Sequence, residues 1–146
     1  MKVPPELFLS SIEEKKVYYF TSTKLNTETP HHFVCIKRTD KDILILTVCT
    51  SKFETVKTHV EKMGLPQETL VWIKPKEGEN PFTKDTYVNC NNSFTYTVEE
   101  FEIMYKSDTI SHSGEISENH YNQILTGLHK SPVIEREVKD SIPQPE

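Results

Sequence analysis

Alternating and continuous apolar runs divide the chain into short strands and amphipathic helices. The run Lys16-Val17-Tyr18-Tyr19-Phe20-Thr21 is aromatic and β-branched, as a pleated, half-buried strand requires. Further strands are expected at 33–37, 43–49, 70–73 and 86–90, with Phe94, Thr95 and Tyr96 extending the sheet. The polar stretch 39–42 reads as a hairpin turn between the second and third strands. Residues 43–49 are apolar on both faces, which predicts a central strand covered on both sides. A one-sided cover would leave the surplus face to a second copy, so a homodimer is expected.

Helical spacing appears in the connections. Ser51 and Glu54 form a capping-box pattern ahead of Phe53, Val56, Val60 and Met63, and Gly64 is a natural stop. Thr97 and Glu100 repeat that pattern before a short helix to about Tyr105. Ser117 can cap a last helix whose apolar face is Tyr121, Ile124, Leu125 and Leu128. Pro4 and Pro5 open at most a helical turn. Gly114 marks a turn, and the charged, proline-containing segment 132–146 reads as a loose tail. The expectation is one α+β domain over 1–131: a small, curved, mostly antiparallel barrel with three peripheral helices.

Composition narrows the function classes. A chain of 146 residues is the usual size of one domain with its own core. Its longest apolar run is too short to span a bilayer, and its first residues lack the apolar region of a secretory signal. A cytoplasmic protein is expected, with no membrane association. The odd set Cys35, Cys49 and Cys90 fits reduced, buried thiols; neither a disulfide framework nor a metal site is expected from it. The net charge of −5 argues against a general nucleic-acid coat, so any RNA contact must be local.

The order of pieces resembles the PemK/MazF family, also called the Kid or CcdB-like fold. Lys15-Lys16-Val17-Tyr18-Tyr19-Phe20 resembles the family's first strand after a charged pair. His31-His32-Phe33-Val34-Cys35-Ile36 stands where the family has Arg-Pro and a Val/Ile-rich strand. Thr50 ends the third strand, Leu65-Pro66 precedes the fourth, and Lys84-Asp85-Thr86-Tyr87-Val88 leads to Asn91-Asn92 in place of an acidic-Gln pair. Gly114-Glu115-Ile116-Ser117 is similar to the family's entry into its last helix. The likeness covers about Lys15 to Ser131. His31 replaces the family's arginine, and His32 its proline.

The resemblance implies an SH3-like barrel, an endoribonuclease toxin that cleaves single-stranded RNA, and an antitoxin peptide or protein as partner. No cofactor is implied. Cleavage without a metal needs a base for the 2′-hydroxyl, an acid for the leaving 5′-oxygen, and donors for the charge on phosphorus. His31 and Thr50 are the candidate catalytic pair; His32, Lys52, Asn91 and Asn92 are candidate substrate contacts. Thr50 immediately precedes a helix start, where free amides favour an anion. His31 and Thr50 are expected across one groove, with Asn92 at its rim.

Each of these residues also has a structural reading. Paired histidines at a strand start are often only surface residues. Thr50 can be a cap, and Asn91-Asn92 a turn. Consecutive strand residues point to opposite faces, which separates His31 from His32. Tyr18, Tyr19, Phe20, Trp72 and Tyr87 can stack on bases or fill a core; Trp72 reads as core or dimer interface. His59, His120 and His129 read as exposed helix residues, and His112 lies in a loop. The rival to the enzyme is a catalytically silent binding module on the same fold, for a protein or nucleic-acid partner. A coincidental motif order on an unrelated α/β domain is the third alternative.

Overall fold

A computed structural model describes residues 2–146. The elements run α1 (Pro5–Ser10), β1 (Lys16–Phe20), β2 (His31–Arg38), β3 (Ile43–Thr50) and α2 (Phe53–Lys62). Then follow β4 (Leu70–Ile73), β5 (Thr86–Asn89), β6 (Phe94–Thr97), α3 (Val98–Lys106), β7 (Ile110–Glu115), α4 (Glu118–Lys130) and α5 (Arg136–Ser141). All strand pairs are antiparallel, in the order β4-β5-β3-β2-β1-β7, with β6 on β3 as well.

The five expected strands are present, and two things differ from the expected barrel. The sheet does not close: β4 and β7 end the path, and no pairing among the described residues joins them. Among the described residues five helices accompany it instead of three. The residues around Gly114 are not a simple turn but β7, which pairs with β1 through a bulge beside Val17. Gly114 itself has φ 144, and a Cβ there would stand 3.1 Å from Pro81. The strand is hard to see in sequence because Ile110-Ser111-His112-Ser113-Gly114-Glu115 carries a single large apolar residue.

β3 splits the pairing. Ile43 to Leu46 pair with β6, while Cys49 and Thr50 pair with β5. β2 lies along its other side, with Phe33 opposite Val48. Alternation then sends side chains to two separate cores. On one face Tyr18, Phe20, Phe33, Leu44 and Leu46 pack against Phe8 and Ile12, from and just after α1, and Phe101 of α3. On the other, Val17, Val34, Ile36 and Ile45 meet Ile124, Leu125 and Leu128 of α4. Helices of the same chain therefore cover both faces of β3. The apolar surplus that predicted a dimer is already buried.

The segment 132–146 is not loose. Its charges alternate with Ile134 and Ile142, which are 7% and 6% exposed and belong to the α4 core. Val138 packs beside them, and His129 Nε2–H donates to the Pro143 carbonyl at 2.9 Å. Three apolar residues spaced by charges were enough to dock this end.

Helix capping divides as well. Thr97 and Glu100 form the expected reciprocal box on α3, and Ser117 Oγ accepts from the His120 amide. Ser51 does not cap α2. Its N-cap is Lys52, without a side-chain bond, because β3 continues to Thr50 to pair with Tyr87 and delays the helix.

Candidate functional site

The start of β2 and the end of β3 meet at one edge of the sheet. Continuing the pairing of Phe33 with Val48 by two residues sets His31 opposite Thr50. There an open groove of about 490 Å³ is lined by His31, His32, Thr50, Lys52 and Lys84, with Tyr19, Phe82 and Ser113. The loop 74–85 forms its far wall. Phe82 anchors that loop in the core, and Phe82 N–H donates to Asn80 Oδ1 at 3.1 Å.

His31 is half-buried, and its Nδ1 lies 3.1 Å from the Thr29 carbonyl oxygen. A carbonyl only accepts, so Nδ1 carries the proton, and in the neutral ring the Nε2 lone pair is left free. Strand alternation turns His32 to the other face of β2, yet at this end of the sheet both histidines line the same groove. The His32 ring lies 4.6 Å from that of Tyr19 and 5.4 Å from that of Phe82. Burial, and then the charge of neighbouring His31, holds the His32 imidazole below its ordinary 6.5. His32 is therefore neutral near pH 7, an aromatic wall rather than a proton donor.

Thr50 Oγ1 accepts from the Lys52 amide at 3.1 Å. That bond occupies the oxygen as an acceptor and leaves the hydroxyl proton available to a ligand oxygen. Lys52 and Lys84 are exposed, and no Asp or Glu lines the groove among the described residues. In a chain of net charge −5, this is a local positive site.

Four of the six expected residues thus line one groove: His31, His32, Thr50 and Lys52. Asn92 does not. It lines a neighbouring hollow of about 350 Å³ under α2, with His59; Thr50 and Lys52 form the ridge between the two. Asn91 is buried. Its Nδ2 donates to Thr69 Oγ1 (2.9 Å) and Asn89 Oδ1 (3.0 Å), and its Oδ1 accepts from Ser131 Oγ (2.7 Å). This satisfied knot ties the turn after β5 to the end of α4 and leaves no amide for a ligand.

Sequence reasoning did not single out Lys84, Phe82 or Ser113 as site residues. Phe82 had a visible signal: it is the only large apolar residue in a polar loop. Lys84 and Ser113 had none, because the loop fold and the unrecognised β7 bring them in. Arg38 and Arg136 are the chain's arginines. Arg38 is structural, donating to the Leu9 and Ile12 carbonyls and to Asp42.

No helix among the described residues is long and apolar enough to cross a membrane. No group of three or more His, Cys, Asp or Glu side chains among them is placed to hold a metal.

No family model matches the chain, and no curated protein sequence does. Among solved structures, an endoribonuclease in complex with its cognate antitoxin from Mycobacterial species is similar. The match has a TM-score of 0.52 and 16% identity, covering 92% of this chain and 100% of that one. The likeness is one of fold.

Proposed function

We propose that the protein is an endoribonuclease toxin of the PemK/MazF type, acting on single-stranded RNA in the cytoplasm without a metal and neutralised by an antitoxin. The observation that carries this reading is the groove: two histidines, a threonine hydroxyl and two lysines, with no lining carboxylate, in an acidic chain. The fold shared with an endoribonuclease solved with its antitoxin supports it.

In this mechanism His31 Nε2 takes the proton from the ribose 2′-hydroxyl, whose oxygen attacks phosphorus. The bond to the 5′-oxygen breaks, leaving a 2′,3′-cyclic phosphate and a 5′-hydroxyl. A groove lysine, Lys52 or Lys84, supplies the proton to the departing oxygen. Both ammonium groups and the Thr50 hydroxyl stabilise the charge gathering on the phosphoryl oxygens.

The absence of a guanidinium from the groove favours a second reading, a binding module that holds RNA without cutting it. One experiment separates them: purified protein with a labelled single-stranded RNA, read for both binding and cleavage. The enzyme reading expects a cyclic-phosphate end and a loss of about a hundredfold or more in His31→Ala, with the fold intact by circular dichroism. Binding without cleavage moves the assignment to the module, and neither removes both.

A further inference from the structure

Three aromatic side chains stand beside the groove on the other side of Thr50. Thr50 pairs with Tyr87, and Tyr87 pairs with Trp72, so the three form one row across β3, β5 and β4. Directly opposed residues share a face, with Cβ atoms about 5 Å apart. Phe53, the first residue of α2, packs against Tyr87, with the two rings tilted and 4.7 Å apart. Trp72 is the outermost member. It is 54% exposed on an edge strand, and it is the only tryptophan in the chain.

A large exposed aromatic residue normally costs solubility, yet this one is held in place. Its indole N–H donates to Asp85 Oδ1 at 3.2 Å, which fixes the ring against the loop that bears Lys84. One polar edge is tied down while the apolar body stays open.

Resting on the endoribonuclease reading above, we propose that Trp72 and Tyr87 form a stacking ledge for the bases of a single-stranded RNA flanking the phosphate held at Thr50. In this arrangement phosphates run along Lys52 and Lys84, and bases turn onto the aromatic row. Every base has a flat face, so the ledge gives affinity with little dependence on sequence. A duplex keeps its bases paired and stacked, and the ledge selects against it. Asp85 accepts the indole N–H and is not among the residues that line the groove.

The lone tryptophan makes the test direct. Protein is titrated at low salt with a fluorescein-labelled single-stranded RNA of about eight nucleotides, a length within the range of such sites. Anisotropy reports binding, and a parallel titration with unlabelled RNA reads Trp72 emission. The ledge predicts saturable quenching of Trp72 that tracks the anisotropy. It also predicts about tenfold weaker binding for Trp72→Ala, with most affinity restored in Trp72→Phe. Trp72 is exposed, so the variants should keep the wild-type melting profile. Normal RNA binding with unchanged Trp72 emission and an unaffected Trp72→Ala overturns the ledge and leaves the proposed function standing. Equal affinity for duplex RNA also overturns the ledge. No RNA binding by the wild type at any salt overturns both, and quenching by a protein partner alone makes this edge a protein interface instead.

Discussion

Thr47 shares with Tyr18 a buried hydroxyl left without a partner among the described residues. Thr47 is fully buried at the centre of β3. An unpaired buried hydroxyl carries its full desolvation cost, and valine has the same shape without it. Thr47→Val should therefore raise stability by about 1–2 kcal/mol, read as a higher urea midpoint at unchanged slope; a lower midpoint would reveal a partner for the hydroxyl. The histidines set a pH limit. Burial holds His32 and His120 below their ordinary 6.5, so the unfolded chain binds these protons first as pH falls. The stability they give is present above about pH 6.5 and declines as pH drops toward their folded values. Melting temperature should fall between pH 7 and pH 5, and His32→Phe should flatten part of that slope. At this scale the sequence was informative about identity and weak about role. The short hairpin brings His31 and Thr50 to one edge, but their pairing was not legible: the register at the turn would set His32 opposite Thr50, and a bulge between Cys35 and Lys37 shifts it by one residue. Asn91 could not be told from a ligand-binding amide, because its partners Thr69 and Ser131 lie 22 and 40 residues away.

Among the elements, legibility followed the strength of the periodic signal. β1 to β5, α3 and α4 were visible because their apolar positions repeat at the strand or helix period and their caps are local. β7 escaped, since its place in the sheet comes from pairing with β1 and not from its own side chains. The fit of α4 against the turn before β4 was equally hidden. Gly127 lies on the buried face of α4, where an added Cβ would come within 2.6 Å of the Glu68 carbonyl oxygen and 2.7 Å of Cys90 Sγ. Helix propensity alone would favour alanine there by about 1 kcal/mol. The contact reverses that sign, and Gly127→Ala should destabilise by about 1–3 kcal/mol, measured by denaturant unfolding. A stabilised variant would mean that α4 shifts freely over the turn 67–69, and the polar knot at Asn91 argues that it does not.

For the molecule as a whole, the C-terminal segment is structural. Ending the chain at Ser131 would uncover the α4 core where Ile134 and Ile142 now sit. At about 1.5–3 kcal/mol for each of these two buried side chains, the loss should be on the order of 3–6 kcal/mol. Urea unfolding of the truncated chain reads it directly, and an unchanged midpoint would return the segment to a dispensable tail. The closed barrel expected from the sequence fails for a related reason. Helices and the returning C-terminus occupy both faces of the sheet, so neither edge has to curl round to meet the other. The division of β3 between β6 and β5 bears on how such a protein can change over generations. Each prong of the fork carries its own neighbours: β6 leads into α3, and β5 follows the loop that walls the groove. Mutations that reshape the β4–β5 prong can alter what the groove accepts while the β6–α3 prong keeps the chain folded. Lineages of this fold should therefore drift fastest between residues 70 and 90, and slowest along the shared stem of β3.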